Sequence, residues 1–199
     1  MATFTKIFSE GNPRPRPVDE IPPLRRLLPL GVQHVLAMYA GAVAVPINGK
    51  LHPREAAWIV EDAEAALVFT DNKSAEALTG LTPVPTISTE GDAFRGMRET
   101  APSGAPTSLA QSDMAWLFYT SGTTGQPKGV MISCGNIAAM TMSYFADVDE
   151  VQAEDAILYA APMSHGAGLY NFMHVLRGAR HVVPDSGGFD AAEILRIAP

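Results

Sequence analysis

Apolar residues in this chain come in short blocks divided by turn-forming residues. Met114–Tyr119 is an unbroken apolar run of strand length, as expected where both faces of a strand are covered. Ala66–Thr70, Val84–Ile87, Ala156–Ala161 and His181–Pro184 read as further short strands. Between them the period changes. Pro53 suits a first helical position, and Ala56, Ala57, Ile59, Val60 and Ala63 form a stripe to about Ala65. Ser133 is placed to cap a second helix with Asn136 as its third residue. Ile137, Met140, Met142, Tyr144 and Phe145 fill the apolar side of that helix, the methionines as core. Leu169–Leu176 and Asp190–Ile197 read as later helices, and Thr100–Ser108 as a surface loop. The alternation predicts an α/β fold, a layered and mostly parallel sheet flanked by helices.

The N-terminal segments break this pattern. Residues 1–26 contain five prolines, and five basic residues stand there against three acids. This head is expected to be extended or disordered. Leu27–Ile47 then runs for 21 residues without a formal charge, behind Arg25 and Arg26. By length it qualifies as a membrane span, although Pro29, Pro46 and the polar pair Gln33-His34 interrupt it.

Composition narrows the classes. The 199 residues are 47% hydrophobic and suffice for a buried core. A net charge of −7 argues against a nucleic-acid surface. The single cysteine, Cys134, excludes an internal disulfide and a cysteine-rich zinc site. No compact ligand spacing occurs among the five histidines, so no metal-binding residues are assigned. A cytoplasmic setting is the default, with membrane association only if residues 27–47 insert.

The chemistry is concentrated after Met114–Tyr119. Thr120, Ser121, Gly122, Thr123, Thr124 and Gly125 are all Thr, Ser or Gly, and Lys128 follows three positions later. Glycines let successive amides point inward, hydroxyls add donors, and a lysine adds a compact positive charge. The layout suits a polyphosphate. It is not a Walker A loop, because Pro127 precedes Lys128 and Gly129 follows it. A flexible linker of this composition would not explain the strand before it or Val130-Met131-Ile132 after it.

The stretch Leu117–Val130 resembles the phosphate-binding signature of the adenylate-forming, or AMP-binding, enzymes: acyl-CoA synthetases, peptide-synthetase adenylation domains and firefly luciferase. Tyr159-Ala-Ala-Pro162-Met-Ser-His165-Gly-Ala-Gly168 resembles that family's second core segment, whose His or aromatic position lies beside the acyl group. The alternative for His165 is a plain helix cap. Gly41–Asn48, Leu51–Glu55 and Leu67–Thr70 are similar to the early part of the same domain. Cys134-Gly135 departs from the polar pair common there, so Cys134 reads as a space-filler. Residues 28–46, by contrast, resemble the first membrane helix of xanthine/uracil permeases, which also holds a Gln-His pair. The expectation is a chimera joined near Gly41–Pro46, with 41–199 a partial adenylation domain.

The resemblance implies an ATP-dependent acid–thiol ligase acting on a fatty or other acyl carboxylate, with ATP, Mg²⁺ and coenzyme A as partners. Thr120, Ser121, Gly122, Thr123, Thr124, Gly125 and Lys128 would hold the departing phosphates, and His165 would border the acyl pocket. Small residues at Gly166, Ala167 and Gly168 would leave room for an extended acyl group. The family's later elements do not occur in the 199 residues, so the chain alone is expected not to complete adenylation. A non-catalytic nucleotide-binding fragment and a permease fragment are the alternatives.

Overall fold

The computed structural model describes residues 2–6, 37–99, 105–120, 126–186 and 189–198. The rest of the Pro-rich head, the first part of the apolar run (27–36) and Ser121–Gly125 lie outside the described residues.

The apolar run does not continue as one helix. Residues 37–39 are helical, and the chain then reverses at Gly41 with φ +77°. The Gly41 amide donates to the Met38 carbonyl at 2.9 Å and the Ala42 amide to Ala37 at 2.8 Å, a glycine-terminated helix end. A Cβ on Gly41 would stand 2.8 Å from Thr107 Cγ2. Beyond this turn the chain enters β2 (Val43–Ile47), buried at every position. This corrects the expectation of a membrane helix through residue 47. Among the described residues no helix is long and apolar enough to cross a membrane.

One sheet holds six strands. They are β1 (Ala2–Lys6), β2, β3 (Ala65–Thr70), β4 (Thr86–Ser88), β5 (Met114–Thr120) and β6 (Lys128–Ser133), ordered β4-β3-β1-β2-β5-β6. Strands β2, β3, β4 and β5 run one way, and β1 and β6 run against them. The sheet is therefore mixed. Strand β1 enters between β2 and β3 and pairs antiparallel with both, so residues 2–6 of the head are extended, the first of the two conformations expected there. A connection of seven residues makes β5 and β6 an antiparallel hairpin, since a parallel crossover needs a longer one. A separate parallel pair joins β7 (Ala156–Leu158) to β8 (Arg180–Val182).

Helices cover both faces. They are α1 (Pro53–Asp62), α2 (Asn72–Leu78), α3 (Asp92–Glu99), α4 (Cys134–Asp147), α5 (Gly166–Leu169), α6 (Asn171–Arg177) and α7 (Ala191–Ile197). Helix α4 begins as its sequence predicts. The Ser133 hydroxyl accepts from the Asn136 amide, and the Asn136 side chain accepts from the Ser133 amide. The expected helix Leu169–Leu176 is divided at Tyr170 into α5 and α6. Gly178 closes α6 with φ +71°.

Two apolar cores result. One joins Val43, Val45 and Ile47 of β2 to Ala57, Ile59 and Val60 of α1. The other joins Ala115 and Trp116 to Ile137, Phe172 and Met173, each buried side chain of this size contributing about 1.5–3 kcal/mol. Met140, Tyr144, Phe145 and Cys134 pack against this second core. Met142 does not, being 64% exposed. Counting by 3.6 from Ile137 places Thr141 on the buried side and turns Met142 outward.

Candidate phosphate-binding site

Strand β5 is the wall shared by the two cores. Trp116 and Phe118 face the α4–α6 side, while Leu117 and Tyr119 face α1. This period-two division delivers β5 in a fixed orientation to its C-terminal end, where open α/β sheets place ligands. Thr120 is the last residue of β5 and Lys128 the first of β6, and they pair across the hairpin. The Thr120 hydroxyl donates to the Lys128 carbonyl at 3.5 Å. The structure thus brings together the two ends of the Ser/Thr/Gly loop, while Ser121, Gly122, Thr123, Thr124 and Gly125 lie outside the described residues. Lys128 is exposed.

The second motif reaches the same strand. His165 precedes α5, and its ring centroid lies 5.3 Å from that of Phe118, tilted by 44°. Its side chain makes no capping hydrogen bond. The simple cap suggested by the sequence is therefore not what holds the ring. Gly168 serves a different purpose from the one expected. A Cβ there would fall 1.9 Å from the Met163 carbonyl oxygen and 3.2 Å from the Trp116 ring. The glycine is required by close packing of α5 on the chain before it. Gly166 has no neighbour within 4 Å of such a Cβ.

Asn171, buried completely, donates through Nδ2 to the Gly168 carbonyl and fixes this turn from below. The Tyr159 hydroxyl lies 2.8 Å from His181 Nδ1, and the two rings stack. Burial, reinforced by His174, holds His181 below its ordinary value of 6.5. Tyr119, to which the sequence assigned no role, donates its phenol to Asp62 at 2.5 Å. A cavity of about 230 Å³ lies at the opposite end of α1 from Asp62, bordered by Asn48, Leu51, Lys73 and Ser74, and neither Thr120, Lys128 nor His165 lines it.

Beyond this geometry, residues 28–197 match the model of the AMP-binding enzyme family. The chain belongs to the AMP-binding enzymes. The match begins at residue 28 and so includes most of the apolar run that resembles a permease helix. The chain is 35% identical over 150 residues to 2-succinylbenzoate–CoA ligase of Bacillus cereus (strain AH820), covering 75% of this chain and 29% of the relative. It is 32% identical over 176 residues to 3-hydroxybenzoate–CoA ligase of Aromatoleum sp. (strain CIB), covering 81% of this chain and 33% of the relative. Among solved structures, o-succinylbenzoate CoA synthetase from Bacillus subtilis with its acyl-adenylate intermediate superposes with a TM-score of 0.67 at 27% identity. That superposition covers 84% of this chain and 42% of the synthetase chain, which has also been solved with ATP and magnesium ion. The chain thus spans about a third of the curated ligases it matches, and its α/β architecture is that of the N-terminal part of adenylate-forming enzymes.

Proposed function

We propose that this chain supplies the phosphate grip and one wall of the acyl site of an ATP-dependent acid–thiol ligase. In that reaction a carboxylate oxygen attacks the α-phosphorus of ATP, and the α–β bridging bond breaks. An acyl-adenylate forms and pyrophosphate leaves; a thiol such as that of coenzyme A then takes the acyl group and releases AMP. The observation that carries the reading is the hairpin. Thr120 and Lys128 pair directly across it, so the chain leaves the sheet at the first of six consecutive Thr, Ser and Gly residues and re-enters it at a positive charge.

Lys128 would neutralise charge on the departing β,γ-phosphates, and the Thr120 hydroxyl and loop amides would donate to their oxygens. His165, braced by Phe118, would border the carboxylate substrate. With Gly168 committed to packing, nothing at α5 singles out a fatty chain. The names of the two ligases above favour an aromatic acid. Among the described residues no three His, Cys, Asp or Glu side chains converge on a metal site. Mg²⁺ would enter on the nucleotide's own phosphates. The family match from residue 28 supports a synthetase origin for the apolar run, and so a single domain in place of a chimera.

Competition binding tests the phosphate reading. ATP and pyrophosphate are expected to bind more tightly than AMP, in proportion to the phosphates the loop engages. Equal affinity for ATP and AMP would place recognition elsewhere.

A further inference from the structure

Tyr119 is held on three sides at the entrance to the loop. Its hydroxyl donates to Asp62 Oδ2 at 2.5 Å, and its ring meets Trp58 edge-on at 6.3 Å between centroids. Trp58 and Asp62 are four residues apart in α1 and so share one face of that helix. Across the hairpin Tyr119 pairs with Gly129, and a Cβ on Gly129 would lie 3.3 Å from the tyrosine Cζ. The glycine thus lets the ring lie close over β6. The two residues that open and close the phosphate loop, Thr120 and Lys128, are the next neighbours of this Tyr119–Gly129 pair.

We propose that Tyr119, anchored by Asp62, is a positioning residue that sets where Thr120 and Lys128 present their groups to a polyphosphate. A hydrogen bond to a carboxylate is shorter and more directional than one between neutral groups. It links β5 to α1 at the point where the strand leaves the sheet. Rotation of the hairpin about β5 would break that bond, so the anchor resists a motion that would carry Lys128 away. The proposal rests on the phosphate reading above.

The test measures dissociation constants for Mg-ATP together with thermal unfolding. Tyr119→Phe and Asp62→Ala are each expected to weaken binding about three- to tenfold, part of the worth of one such bond, since neither group touches the ligand itself. The double variant should be no weaker than either single one. Asp62→Asn, whose amide oxygen still accepts but carries no charge, should fall between Asp62→Ala and wild type. Ile59→Val, a core change in the same helix, should lower the melting temperature and leave binding alone. If Tyr119→Phe does not fold, the Asp62→Ala and Asp62→Asn pair decides the matter. Wild-type affinity in Asp62→Ala, additive losses in the double variant, or an equal loss in Ile59→Val would each overturn the positioning role. A wild-type chain that binds no ATP would instead remove the phosphate reading, and this proposal with it.

Discussion

Phe118 and His165 lie against each other with their ring centroids 5.3 Å apart and their planes tilted by 44°, joining the strand that enters the phosphate loop to the motif after β7. Forty-seven residues separate them in sequence, yet both lie at the end of β5. A double-mutant cycle with Phe118→Leu and His165→Ala is expected to give a coupling of about 0.5–1 kcal/mol in urea unfolding. That value is modest because His165 is exposed. Strict additivity would show that the rings touch without stabilising one another.

Gly168 and Gly166 look equivalent in the sequence but not in the fold. Gly168→Ala drives a methyl into the Met163 carbonyl, and is expected to destabilise the chain by about 2–3 kcal/mol. Gly166→Ala meets open space and is expected to change stability by less than about 0.5 kcal/mol. Equal effects in chemical denaturation would refute the packing role assigned to Gly168.

His181 gives the fold a pH dependence of defined sign. Burial and His174 hold it below 6.5, so the unfolded chain binds the extra proton first as pH falls. Its contribution is present above pH 6.5 and is lost on acidification toward the folded value. Unfolding free energy is therefore expected to drop on acidification from neutral pH through about 6.5, and the drop is expected to be smaller in His181→Gln. An unchanged slope in that variant would assign the effect to other groups.

Much of the fold was legible from local pattern. The apolar run of β5, the stripe of α1 and the cap of α4 are set by neighbours within a few residues, and each appears where its pattern places it. Strand β1 was hidden because five prolines dominate the head that contains it. Helices α2 and α3 are short, with few buried residues to mark a stripe. The apolar run 27–47 misled by length, since one glycine converts a helix end into a buried strand. Residues 120–128 suggested a phosphate-binding loop through their composition and their resemblance to the family signature. The Tyr119–Asp62 bond could not be read, because its partners stand 57 residues apart and meet only when α1 docks on the sheet.

Whether the hairpin grips phosphates is decided by a calorimetric titration of Mg-ATP into the wild-type chain and into Lys128→Ala. Saturable binding is expected for the wild type, weakened about 10- to 100-fold in the variant, the value of a charge-assisted contact to phosphate. The variant's melting temperature should be unchanged, since Lys128 is exposed. Equal affinity in the two proteins, or no binding by the wild type, would contradict a phosphate grip built on Lys128.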